Sequence, residues 1–114
     1  MPSVQQLKPQ WFQILLALAD CELHGLGIQK EILRNTEGQM KLWPAMLYGS
    51  LKRMVADGFI GEREQPAGPE TDGDRRRFYK ITVKGSRALT DEVARLAKYV
   101  QVAESKLTAG GTGT

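Results

Sequence analysis

Leu47-Tyr48-Gly49-Ser50-Leu51-Lys52-Arg53-Met54, running into Gly58-Phe59-Ile60, and then Arg75-Arg76-Arg77-Phe78-Tyr79-Lys80-Ile81-Thr82 ahead of Gly85, decide how this chain folds. In the first stretch Leu47, Leu51, Met54 and the following Val55 recur at helical spacing. Met46, Tyr48, Gly49, Lys52, Arg53 and Ala56 are left to the outer face and flanks. The second stretch has strand composition, with Tyr79 and Ile81 on one face and Phe78 and Lys80 on the other, so Tyr79 and Ile81 should point inward. A basic helix followed by a basic hairpin strand and another helix spells a winged helix-turn-helix. The expected class is mainly α with a small β-hairpin, plus a C-terminal dimerisation helix.

Working outward, Pro44 suits the first turn of that helix, and Gly58 its end. Trp43 stands where a capping Ser, Thr, Asp or Asn would be expected, and packing against the preceding helix is its simplest role. That preceding helix should start near His24-Gly25, carry Ile28, Ile32 and Leu33 inward, and stop by Gly38 in a left-handed conformation. An earlier helix is predicted from Pro9 to about Asp20. It is apolar around most of its circumference and therefore buried on more than one side.

Downstream, strands are predicted over residues 59–65 and 76–82, joined by a long tip from Pro66 to Asp74. Thr82 should cap a last helix through about Leu107. Its Leu89, Val93, Leu96, Val100, Ala103 and Leu107 alternate four and three apart, the spacing of a coiled-coil seam. The division expected is 1–82 for the winged helix, 83–107 for the dimerisation helix and 108–114 for a disordered tail.

Charge is distributed unevenly. Net charge is only +3 over 114 residues, yet Arg75 to Thr90 holds six cations and no carboxylate, whereas Glu62 to Asp74 holds five acids against Arg63. Cations on two elements point to double-stranded DNA, with Tyr48, Lys52 and Arg53 on the helix and Arg75 and Arg76 at the hairpin as contacts. The acidic tip, Glu70, Asp72 and Asp74, would repel phosphate.

Other chemistry finds little footing. One histidine, no carboxylate pair on an apolar background and no phosphate-binding glycine loop argue against an enzyme and against any cofactor. Cys21, Glu22 and His24 are too closely spaced for a good metal site, so no metal is expected, and His24 should bond backbone at a helix start. Cys21, the sole cysteine, reads as an inert, partly buried thiol. The start of the chain lacks a secretory pattern, and the apolar run 14–19 is too short for a bilayer, giving a cytoplasmic expectation with no membrane partner.

Ile14-Leu15-Leu16-Ala17-Leu18, Leu23-His24-Gly25-Leu26-Gly27-Ile28, Pro44-Ala45-Met46-Leu47-Tyr48 with Leu51, Arg53, Met54, Gly58 and Ile60, and finally the arginine-rich strand with Gly85, together resemble the PadR family of bacterial transcriptional regulators in its short form. The resemblance implies a homodimeric repressor on a pseudo-palindromic operator, with the last helix and the first at the dimer interface. It also implies that a small aromatic effector acts on some members. Here Trp11, Phe12, Tyr99 and Val100 would border such a site. Leu26, Met46 and Trp43 depart from the family's usual aromatic, Thr or Ser, and small polar cap. Two other readings stay open: a winged-helix protein-interaction module, and a regulator that responds to thiol oxidation through Cys21.

Overall fold

The computed structural model describes residues 7–66 and 75–109, with the side chains of Gln65, Pro66, Arg75 and Arg76 outside that description. In chain order the elements are α1 (Pro9–Ala17), β1 (Leu23–His24), α2 (Gly25–Asn35), α3 (Pro44–Ala56), β2 (Ile60–Pro66), β3 (Arg75–Ile81) and α4 (Val83–Ala109). Ile14, Leu15 and Leu18 of the first helical segment meet Ile28 and Ile32 of α2, Leu47, Leu51 and Met54 of α3, and Ile60 of β2 in one core. The inward stripe predicted for α3 is buried as expected, except that Val55 is half-buried.

Local chemistry sets the helix limits. Pro9 and Pro44 open α1 and α3, where a missing N–H costs nothing. His24 Nδ1 caps α2 by accepting from the Gly27 N–H at 3.1 Å, the backbone role expected of it. At the end of α3, Gly58 has φ +85° and its N–H bonds the Val55 carbonyl, while the Phe59 N–H bonds the Met54 carbonyl, which together close a Schellman motif. Gly38 is left-handed as predicted, with φ +80°. Glu37 is left-handed too, with φ 52°, because the Schellman bonds closing α2 start one residue earlier than expected, at Glu37 N–H to Arg34 O.

The sheet corrects the sequence reading. β3 lies between β2 and an additional strand, β1, with Leu23 opposite Tyr79 and His24 opposite Phe78, so the hairpin is part of a three-stranded antiparallel sheet. β1 was missed because a two-residue strand carries no periodicity; its signal exists only in the partner. Its extended backbone also explains why α1 stops at Ala17 and not at Asp20, since residues 18–22 must turn the chain into the sheet edge. β2 and β3 each sit one residue off the predicted limits. Tyr79 is buried and Ile81 half-buried, as expected of the inward face. The last helix continues through Thr108 and Ala109, so those two residues are helical and not a disordered tail; the remaining tail and the hairpin tip from Ala67 to Asp74 lie outside the described residues.

α4 joins this body through one junction. Thr82 Oγ1 accepts from the Gly85 N–H at 3.0 Å, the expected cap, and donates to the Gly58 carbonyl at 2.6 Å with the Phe59 carbonyl at 2.9 Å. Gly85 is buried, and a Cβ there would collide with the Phe59 carbonyl oxygen and crowd Ile81 at 2.9 Å. Backbone cannot yield as a flexible side chain can. Gly85→Ala should therefore lose about 1–3 kcal/mol of stability or more, read as a lower urea midpoint at unchanged slope.

Candidate nucleic-acid interface

The outward residues of α3 form a continuous exposed face: Ala45, Met46, Tyr48, Gly49, Lys52, Arg53 and Ala56. Among the described residues neither Lys52 nor Arg53 has a carboxylate within ion-pair distance, which leaves both charges available to an external anion. Tyr48 is half exposed, and its ring is seated on Gly25, where a Cβ would come within 2.8 Å of the phenol's Cζ. A side chain at residue 25 would push the ring from this seat. The phenol is thereby held beside the first turn of α2, whose N–H groups and positive dipole end favour negative charge. The sequence singled out Tyr48 and overlooked Gly25, whose importance appears only once α2 and α3 cross.

The wing is less simply basic. Arg77, which the sequence reading left aside, holds Glu62 at 3.4 Å and Glu64 at 3.7 Å, so its charge is largely answered within the wing. Arg63 makes a two-pronged contact with Glu22 at 2.7 and 2.8 Å, tying the turn before β1 to β2; the hydrogen bond from Arg63 holds the Glu22 carboxyl below its ordinary value. Arg63 also lies over the Phe78 ring, against which His24 packs edge-on. Arg75 and Arg76 pair with Pro66 and Gln65 at the far end of the two strands, while their side chains lie outside the described residues.

A cleft of about 840 Å³ separates these elements, lined by His24, Gly25 and Leu26 of β1 and α2, by Tyr48, Lys52, Val55 and Ala56 of α3, and by Glu62, Arg77 and Tyr79 of the sheet. Burial pushes the Tyr79 phenol above its ordinary value, and the negative charge of Glu62 adds to this, against an opposing pull from Arg77.

Other expectations fare differently. Trp43 is 63% exposed and lies under Lys41, with the ammonium 4.6 Å from its ring, so it does not pack into the body of the protein as predicted; the Trp43 backbone is extended and directs the ring outward. Cys21 is exposed and not partly buried, because α1 has already ended before it. Its thiol is nevertheless raised in pKa, by local desolvation first and then by a hydrogen bond to Asp20 and the charges of Asp20 and Glu31, the opposite of what activates a cysteine. No metal-binding group of His, Cys, Asp or Glu occurs among the described residues.

Along α4, Leu89 belongs to the core, but Val93 is 47%, Leu96 38%, Val100 53% and Leu107 73% exposed, with Ala103 exposed as well. On the flank of this row Arg95 holds the buried Glu92, with Nε to Oε1 at 3.1 Å, and reaches the Tyr99 hydroxyl at 3.5 Å. Trp11 is half-buried and packs edge-on against Phe59 at 5.8 Å. Phe12 is half-buried and Tyr99 exposed, and all three aromatics lie outside the lining of the cleft.

Residues 14–91 match the sequence pattern described as the transcriptional regulator PadR-like family. The chain belongs to that family. It is 32% identical over 102 residues to a transcriptional regulator of Mycobacterium tuberculosis, covering 87% of this chain and 89% of the relative. A transcriptional regulator from Thermoplasma acidophilum superposes with a TM-score of 0.68 at 25% identity, over 87% of this chain and 90% of that one. Bacillus subtilis PadR, solved in complex with operator DNA, superposes with the same TM-score at 22% identity over 78% of this chain and 48% of its own. At that identity the likeness is one of fold. This PadR-like chain is thus a member of a family of regulators and not of enzymes, and no described helix is long and apolar enough to cross a membrane.

The raised Tyr79 phenol gives a direct check on the cleft. A group whose pKa is raised on folding adds stability below its unfolded value, about 10 for tyrosine, and that contribution disappears as pH rises through the folded value. In an ultraviolet titration the Tyr79 phenol should ionise late. Tyr79→Phe should remove that step and flatten the alkaline loss of stability.

Proposed function

We propose that this PadR-like regulator is a sequence-specific DNA-binding repressor that acts as a homodimer on a pseudo-palindromic operator. The observation that carries the reading is the exposed face of α3, where Lys52 and Arg53 have no carboxylate partner among the described residues and Tyr48 is held against the start of α2. Tyr48, Lys52 and Arg53 reach the duplex from the major groove side, and Arg75 and Arg76 take the flanking backbone. That Bacillus subtilis PadR, a chain of the same fold, was solved in complex with operator DNA supports the reading.

Residues 1–82 form the DNA-binding unit in this proposal, and 83–107 the dimerisation helix. Supporting the second part is the bare apolar row of Val93, Leu96, Val100 and Ala103, continuous with Leu89 in the core: apolar side chains at heptad spacing on a protruding helix are stabilised by a second helix laid along them. Two-fold symmetry then puts the two half-sites about one helical turn apart, roughly 10 to 10.5 base pairs. The protein would work in the cytoplasm. Release by a small aromatic effector rests on the family resemblance; a ligand in the cleft beside Tyr48 would also cover Lys52, and loss of a labelled operator on adding such ligands tests it.

Binding to DNA upstream of the protein's own gene, followed across salt concentrations, tests the reading. Lys52→Ala or Arg53→Ala should weaken binding and reduce the slope of log affinity against log salt by about 0.9 per lost phosphate contact. Arg77→Ala should change the slope much less, because Glu62 and Glu64 already answer its charge. Equal slopes in all three variants would remove the basis for assigning α3 the contact. Val93→Glu combined with Val100→Glu should give monomers by light scattering and lose cooperative operator binding, with the helical content kept.

A further inference from the structure

The base-facing half of α3 is short of hydrogen-bonding groups. Recognition helices contact base edges mainly through their N-terminal residues, and in α3 those that are exposed are Pro44, Ala45, Met46, Tyr48 and Gly49. Leu47 and Ser50 are turned into the protein. Tyr48 is drawn to one flank by its seat on Gly25. What faces outward over the first two turns is therefore the Pro44 ring, a methyl group, a thioether chain and a bare glycine. Met46 is 50% exposed, Trp43 lies exposed just before the helix, and a Cβ placed on Gly49 would meet nothing within 4 Å, so the backbone there is open to close approach.

Such a surface cannot make the paired hydrogen bonds by which Arg reads guanine or Asn and Gln read adenine. Methionine offers only a weak acceptor sulfur. In the major groove one base feature is apolar, the 5-methyl group of thymine. From this inventory we infer that Met46, supported by Ala45 and by the close approach that Gly49 permits, is a specificity-determining residue that reads thymine methyl groups in each half-site. The inference rests on the DNA-binding reading above. Affinity from Lys52 and Arg53 and discrimination from Met46 are then separate properties of one helix. The side chain of Met46 is flexible and polarizable, which suits contact with a methyl group without fixed directionality.

The experiment starts from a site selected by the full-length protein out of random duplex DNA. Each thymine of one half-site is replaced in turn by deoxyuridine, which removes the methyl and leaves base pairing intact. At one or two thymines the substitution should weaken binding about fourfold, the worth of one buried methylene-sized group. Met46→Ala should bind the thymine site more weakly and no longer distinguish thymine from deoxyuridine there, whereas Met46→Leu should retain part of the distinction. Because Met46 is exposed, circular dichroism of both variants should match the parent protein. A selected site at which no thymine methyl matters, or an unchanged ratio in Met46→Ala, overturns the inference and leaves the DNA-binding reading standing. Failure to select any sequence overturns that reading, and the inference with it.

Discussion

The constraint on which the arrangement depends is the junction at Thr82 and Gly85. One hydroxyl caps the start of α4 and bonds the carbonyls that follow α3, while the absence of a side chain at residue 85 lets the helix backbone rest on the Phe59 carbonyl. Four elements meet there: the end of α3, the start of β2, the end of β3 and the start of α4. A long helix leaving a small body would otherwise swivel, since only its first turns, to Leu89 and Glu92, are buried. The contact is short-range and largely backbone to backbone, so it transmits orientation rigidly. If α4 carries a second copy, the angle set at Gly85 fixes how the two α3 helices face a duplex.

A second contact of the same kind operates at the other end of α3. Gly25 receives the Tyr48 ring as Gly85 receives the Phe59 carbonyl. Both glycines serve by the volume they do not occupy, and neither has a positive φ. The first positions a polar group on the outer face of α3, the second the frame that presents it. Charge is organised along similar lines: Glu22, just before β1, answers Arg63, and Glu62 and Glu64 on β2 answer Arg77, whereas Lys52 and Arg53 on α3 have no such neighbours among the described residues. Net charge alone, at +3, conceals this division.

Much of this was readable beforehand, and the failures have identifiable causes. The spacing of Leu47, Leu51 and Met54, the Pro44 start and the Gly58 stop are local signals, and local signals survive folding. Thr82 as a cap is equally local. β1 was invisible because two residues hold no pattern, and its existence is decided by the free edge of β3. Trp43 was expected to pack against the preceding helix, yet it is exposed at the helix start with the Lys41 ammonium over its ring. Arg77 was only one cation in a run without carboxylates until the register of the hairpin brought Glu62 and Glu64 beside it.

By itself, then, the sequence determined the order of the four helices and the two hairpin strands, the inward stripe of α3, the heptad row on α4 and membership in the PadR-like family, because each of these is written in residues close together along the chain. The tertiary structure decided which glycines are closely approached, which arginines are paired, and that Tyr48, Lys52, Glu62 and Tyr79 border one cleft. Those properties depend on distances between residues far apart in sequence. Such distances are fixed only when the helices and the sheet have packed around a common core.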